Sequence, residues 1–185
     1  MDEYIDLVNP EGKPLGKRVL KSDAHLNGWY HNTIHVWLYD KTGHVLLAQR
    51  SAAKLIFPLL WDVSAAGHVD AGEQIIHAAI REVDEELGLK LDKDVLNFVG
   101  VFKHEKEYDN GRIRDYEFHH AYIAPLKVGI GELRLQPGEV DGVKLVGPGE
   151  FMKLLEESPG NSHFVPTNAS YYKLILDEIS NAVKN

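Results

Sequence analysis

The chain of 185 residues contains no cysteine. Disulfides, thiolate nucleophiles and cysteine metal sites are therefore excluded together. It also lacks an apolar run approaching the roughly 20 residues that span a bilayer, an internal repeat, a low-complexity tract, and a linker rich in Ser, Gly or Pro. The opening stretch MDEYIDLVNP is acidic and has no apolar core of the secretory kind, so a cytoplasmic protein is expected. Positive charge is also in short supply: 20 Lys and Arg stand against 28 Asp and Glu, for a net charge of −8. A binder of nucleic-acid polymers needs a basic stripe to displace counterions, and none is expected here. An acidic protein can still handle anionic substrates when divalent cations bridge the two.

The hydrophobic share of 44% belongs to an ordinary globular chain, and the length suits one domain over 1–185. YIDLV and LGKRVL flank the turn-like NPEGKP, which predicts an N-terminal hairpin within 1–29. In HNTIHVWLYD the alternation sets His31, Thr33, His35, Trp37 and Tyr39 against Ile34, Val36 and Leu38. HVLLAQR reads as the next strand and LWDVSAAG as one short strand after it. LNFVGVFKHEKEY, DNG and RIRDYEFHHAYIA predict a long hairpin, and GVKLVG a last strand. GPGEFMKLLEE reads as a helix, as does a C-terminal segment over about 167–183 with Thr167 or Asn168 as its N-cap. Strands and hairpins mixed with helices predict an α+β domain or a layered α/β/α one.

The densest chemistry lies in GHVDAGEQIIHAAIREVDEELGL, residues 67–89, where six carboxylates fall within twenty-three positions. Residues 73–87 read as a helix, with Ile76, Ala79, Ile80, Val83 and Leu87 as its buried stripe. Gly88 fits the left-handed position after it. Glu82, Glu85 and Glu86 are spaced i, i+3, i+4 and share the other face, where they repel by a few tenths of a kcal/mol per pair if solvated (~0.2–0.5). A hard divalent cation reverses that sign. Arg81 can pair with Glu73 or Glu85 and hold a carboxylate in place. The bland alternative is a solvated charged face.

A more specific pattern decides between them. Gly67, Glu73, Arg81, Glu82, Glu85, Glu86 and Gly88, with Val83 and Leu89 as the aliphatic positions, match the Nudix box at every fixed place. The stretch therefore resembles the Nudix hydrolases, and the order of strands around it is similar to theirs. The resemblance implies a Nudix fold, an α/β/α sandwich with a mixed sheet, its core over about 30–160. It implies hydrolysis of a small-molecule diphosphate: a nucleoside diphosphate linked to another moiety, or a related organic diphosphate. Mg²⁺ or Mn²⁺ would be held by Glu82, Glu85, Glu86 and the Gly67 carbonyl, and oriented by Arg81 and Glu73. Glu105, Glu117 and Glu139 are further carboxylates that could accept the proton of the attacking water.

Over roughly residues 4–150 the chain looks like the Nudix branch that includes isopentenyl-diphosphate isomerase. That likeness implies a second cation site from His25, His31, His68, Asp115 and Glu117, suited to Mn²⁺ or Zn²⁺. It also implies diphosphate contacts from Lys21, Arg50 and Lys54. One departure stands out: the isomerase's catalytic cysteine is Ala66 here, in SAAGH, and its tyrosine partner has no clear counterpart near 103–108. Isomerase chemistry and a non-catalytic ligand-sensing module are the competing functions; Ala66 weighs against the first and the three box glutamates against the second. His35, His44, His77 and His163 read as surface or hydrogen-bonded core histidines. Trp29, Trp37, Phe57 and Trp61 read as core or as base-stacking candidates. The N-terminal hairpin and the C-terminal helix are each candidates for a homodimer contact.

Overall fold

The computed structural model describes residues 2–158 and 169–184. The expected N-cap, Thr167 or Asn168, and His163 lie outside the described residues. The chain opens with the expected hairpin, β1 (Tyr4–Val8) and β2 (Pro14–Leu20). Asn9 builds its turn by accepting the Glu11 and Lys13 amides on Oδ1 at 3.1 and 2.8 Å. A short helix, α1 (Lys21–Asn27), follows and was not foreseen. Seven residues are too few for an amphipathic period to show.

β3 (His31–Tyr39) is the organising strand. It pairs in parallel with β8 (Ile113–Pro125), from His31 opposite Glu117 to Tyr39 opposite Pro125. Its other edge takes β6 (Ala65–His68), and its ends meet β1 and β4 (Val45–Arg50). β8 continues into the long antiparallel strand β7 (Asn97–Tyr108) across the DNG turn. β9 (Val140–Val146) lies against β4. One parallel pair among antiparallel ones makes the sheet mixed.

The LWDVSAAG stretch is two strands, not one: β5 (Trp61–Asp62) pairs with β4 and β6 pairs with β3. Ser64 forces the crossing, accepting the Leu38 amide at 2.8 Å and donating to the Leu46 carbonyl at 2.6 Å. One side chain thus bridges β3 and β4 where the backbone leaves one for the other.

Both faces of β3 are covered, which is why its alternation divides two apolar sets. Ile34, Val36 and Leu38 pack with α2 (Ile75–Leu87) through Ala78, Ala79, Val83 and Leu87. Trp37 and Tyr39 pack on the other face with α3 (Pro148–Glu157) and α4 (Ala169–Lys184), through Phe151, Leu155, Tyr172, Ile175 and Ile179. Each such fully buried side chain contributes on the order of 1.5–3 kcal/mol. The result is the expected α+β arrangement, a mixed sheet with helices on both faces. No helix among the described residues is long and apolar enough to cross a membrane.

α2 begins at Ile75, two residues later than the sequence reading, because Glu73 stays in the preceding turn. There its carboxylate accepts the Asp70 amide at 3.1 Å. Gly88 ends the helix at φ 64°, as expected.

Candidate active site

Arg81 organises the box. Its Nε and Nη2 donate to the two oxygens of Glu73 at 3.0 and 2.9 Å, a bidentate pair. Nη2 also donates to the His68 carbonyl at 2.9 Å, while Nη1 reaches Glu82 at 2.7 Å and Glu85 at 3.2 Å. Burial raises the Glu73 carboxyl, but the Arg81 bonds outweigh it and hold it low. Glu82 packs against Gly67 so closely that a Cβ there would fall 2.0 Å from Glu82 Cδ. Glu86 is the deepest of the three glutamates, and its Oε2 accepts the Ala66 amide at 3.2 Å. Burial, followed by repulsion from Glu82, pushes its carboxyl up to about 8. Burial also raises Glu82, ahead of the opposing pull of Arg81.

A second cluster stands where α1, β3, β6 and β8 meet. His25, His31, His68 and Glu117 each offer a ligand atom, all within 4.8 Å of one another. His31 Nδ1–H donates to the Trp29 carbonyl at 2.9 Å, so the lone pair of a neutral ring sits on Nε2. That Nε2 is buried, has no hydrogen-bond partner among the described residues, and faces Glu117 Oε1 at 3.5 Å. His25 Nδ1 is held by Asp115 at 2.9 Å, and its Nε2 lies 3.0 Å from His68 Nε2. His68 Nε2 is 3.7 Å from the same Glu117 oxygen. Burial alone would raise Glu117, but the imidazoles around it hold it well below the carboxylate range.

Three imidazole nitrogens and a carboxylate oxygen converging with their lone pairs inward repel unless a proton or a cation lies between them. The outer nitrogens of His25 and His31 are tied to a carboxylate and a carbonyl, as rings presented to metals are. The donor set therefore fits a divalent cation, and imidazole with carboxylate suits Mn²⁺ or Zn²⁺. Asp115 stands behind His25 and is not one of the four converging groups.

The box glutamates and, from the second cluster, His25, His68 and Glu117 line one cavity of roughly 870 Å³; His31 is fully buried and is not on its wall. Lys21, Arg50 and Lys54 are also on its wall, each already engaged. Lys21 pairs with Glu3 at 2.6 Å, and Lys54 with Glu139. Arg50 donates through Nε and Nη2 to the Ile56 carbonyl, at 3.1 and 2.9 Å, and through Nη1 to Asp62 at 3.3 Å. It thereby clamps a loop in which Phe57 and Leu59 adopt left-handed φ of 50° and 63°. Glu139 lines the cavity, whereas Glu105 is absent from its wall and bonds Tyr30 and Lys103 on the surface.

Among the aromatic candidates, Trp37 is core and donates Nε1–H to the Tyr171 hydroxyl at 2.7 Å. Trp61 lies under the Lys144 ammonium, and Phe57 reaches the cavity. The sequence reading assigned no site role to Tyr108, Arg112, His104 or His119, and gave His35 to the surface or core; all five line the cavity. Only the pairing of β3, β7 and β8 brings them there, and no local spacing signals it.

The profile of the NUDIX domain family matches residues 29–167. The chain belongs to the Nudix family of enzymes. It is 35% identical over 179 residues to Nudix hydrolase 3 of Arabidopsis thaliana, which covers 94% of this chain but only 23% of that protein's length. It is 34% identical over 157 residues to an isopentenyl-diphosphate Delta-isomerase of Nocardia farcinica, 84% of this chain and 85% of that one. The crystal structure of DR0079 from Deinococcus radiodurans superposes with a TM-score of 0.68 over 97% of this chain and 98% of that one. Its 20% identity speaks for the shared fold alone.

Proposed function

We infer that the protein is a metal-dependent hydrolase of organic diphosphates: a nucleoside diphosphate linked to another moiety, or a related compound. The single observation that carries this reading is that the box glutamates, three of the four clustered donors (His25, His68 and Glu117) and three cationic side chains all line one cavity. Bound Mg²⁺ or Mn²⁺ would neutralise the diphosphate and activate a water for attack on phosphorus. Glu82, Glu85 and Glu86, with the Gly67 carbonyl, are the residues that would hold it. Arg81 fixes Glu82 and Glu85, and Glu73 fixes Arg81. His25, His31, His68 and Glu117 would hold a second cation.

Lys21, Arg50 and Lys54 would exchange their present partners for phosphate oxygens. Of the carboxylates that could accept the water's proton, Glu105 is off the cavity and Glu117 is enclosed by imidazoles. Glu139 is left, on the wall and paired with Lys54. A phosphate that draws Lys54 away would free its carboxylate to act as base.

The test is a panel of diphosphates with Mg²⁺ and Mn²⁺, reading phosphate release after coupling to a phosphatase. Release from at least one compound, abolished by chelation, is the expected result. No release from any compound with either metal would overturn the reading in favour of a ligand-binding module.

A further inference from the structure

The segment between β4 and β5 forms part of the cavity wall through residues 53–57. Both of its ends are fixed. The Ser51 amide donates to the Glu139 carbonyl at 2.9 Å, and the Ala52 amide to Asp141 Oδ2 at 2.8 Å. At the far end the Leu59 amide donates to the Arg50 carbonyl and the Arg50 amide to the Leu60 carbonyl, each at 2.9 Å. Between these ends two side chains tie the segment to the body of the protein. Arg50 grips the Ile56 carbonyl with Nε and Nη2, and Lys54 pairs with Glu139. The Phe57 ring also meets the Tyr108 ring edge-on, with centroids 5.4 Å apart, an apolar contact without directional bonds.

Held in this way, the segment carries two unfavourable features. Leu55, at its tip, is 90% exposed although it lines the cavity, and Leu26 of α1, on the same wall, is 57% exposed. Large apolar side chains left in water at the rim of one cavity gain by coming together. Phe57 and Leu59 have φ of 50° and 63°, a region that residues with a Cβ keep only where their surroundings impose it. A segment with fixed ends, a strained backbone and an apolar tip in water is an element that a few bonds can bias between two positions. Both of the side chains that bias it, Arg50 and Lys54, are cations on the cavity wall.

We propose that residues 53–58 are a strap that closes over the cavity, with Arg50 as its latch and phosphate as the trigger. A phosphate that takes the guanidinium away from the Ile56 carbonyl releases the middle of the strap. The same phosphate, by drawing Lys54 from Glu139, pulls the strap inward and carries Leu55 toward Leu26. The trigger rests on the diphosphate reading; the strap and its latch rest on the geometry of the segment itself.

The chain has no cysteine, so Leu55→Cys places a single thiol at the tip, and cysteine is still a small apolar side chain. Its rate of alkylation by N-ethylmaleimide, an uncharged reagent, reads the exposure of the tip. In Mn²⁺ the full chain should react at least about tenfold more slowly once methylenediphosphonate is added. Arg50→Met in the same background should slow the reaction about threefold or more with no diphosphonate present, because the latch is gone. Arg50→Lys, whose single ammonium cannot grip the Ile56 carbonyl and Asp62 together, should do the same, and it replaces the methionine variant if that one fails to fold. Alkylation that stays fast while calorimetry shows the diphosphonate bound overturns the proposal and leaves the hydrolase reading intact. So does an Arg50 variant that reacts as fast as its parent or faster, even where the diphosphonate protects, since a bound ligand can shield the thiol by itself. A diphosphonate that does not bind removes the diphosphate reading and the trigger with it, and the strap then stands or falls on the Arg50 variants.

Discussion

Gly67 and Glu82 share one space: a side chain on residue 67 would overlap the Glu82 carboxylate, with its Cβ 2.0 Å from Cδ and 2.1 Å from Oε1. The constraint is room, since Gly67 is not among the residues with positive φ. Gly67→Ala should therefore act through displacement of Glu82 and through it the Arg81 network. Overpacking of this kind costs about 1–3 kcal/mol. A lower thermal midpoint together with a hundredfold or greater loss of turnover is expected, about 3 kcal/mol in the barrier. A variant with wild-type activity would show that the approach of Glu82 to the backbone is not needed.

Glu86→Gln separates function from stability. The glutamate is deeply buried with its carboxyl pushed up to about 8, so folding gains nothing from its charge. The amide keeps the shape and removes the negative charge that a cation would meet. Turnover should fall by two or more orders of magnitude, roughly 3 kcal/mol or more, while the metal-free protein melts at the same temperature or higher. Full activity in the variant would remove Glu86 from the metal set.

His31 tests the second cation site. Its Nε2 is a buried side-chain nitrogen without a hydrogen-bond partner among the described residues, 3.5 Å from Glu117 Oε1. A crystal soaked in Mn²⁺ should show anomalous density within ordinary ligand distance of the ring nitrogens of His25, His31 and His68, and His31→Phe should abolish it. Density confined to the glutamate helix would deny the histidines a metal role.

His35 gives stability a pH dependence. Its folded-state value of about 4 lies below the ordinary 6.5, so between these values the unfolded chain binds a proton that the folded chain refuses. Its contribution is complete above pH 6.5 and is lost as pH falls through the window to 4. The span of 2.5 units corresponds to about 3 kcal/mol. Urea unfolding at pH 7, 5.5 and 4 should show the wild type losing that much more stability than His35→Gln. A constant difference between the two across the window would contradict the assignment.

How much of this was legible before folding depends on how local the signal was. The box is a helix with a turn before it, and its glutamates, its arginine and its buried stripe lie within one run of twenty-three residues. Such a pattern can be read without tertiary structure. β3 was legible by its alternation, although both of its faces proved to be core. α1 was too short to show a period, yet it delivers His25 and Lys21 to the cavity. The split of β5 from β6 depends on Ser64 bridging two strands, which no spacing reveals. His35 meets His119 only through a parallel pairing across more than eighty residues of chain, and His104 joins them through the antiparallel β7–β8 hairpin.

The last prediction is that the protein does not interconvert isopentenyl and dimethylallyl diphosphate, despite its likeness to proteins named for that reaction. The isomerisation adds a proton to one carbon and removes one from another, so it needs an acid and a base on opposite sides of the allylic unit. The resemblance places the isomerase's cysteine at residue 66, where this chain has a methyl group with no ionisable proton. No cysteine elsewhere can replace it. Glu117, the carboxylate that would act from the other side, has Oε1 turned to His31 and His68 and Oε2 to Thr33 and His119. The carboxylate bonded to the Ala66 amide is that of Glu86, set among the groups that would hold a cation. A water activated there would be better disposed to attack phosphorus than to protonate an alkene. Incubation with isopentenyl diphosphate and Mg²⁺ or Mn²⁺, followed by assay for acid-labile product, should give no more than a boiled-protein control. Clear turnover would require a proton donor other than residue 66 and would sink the hydrolase reading in favour of the isomerase.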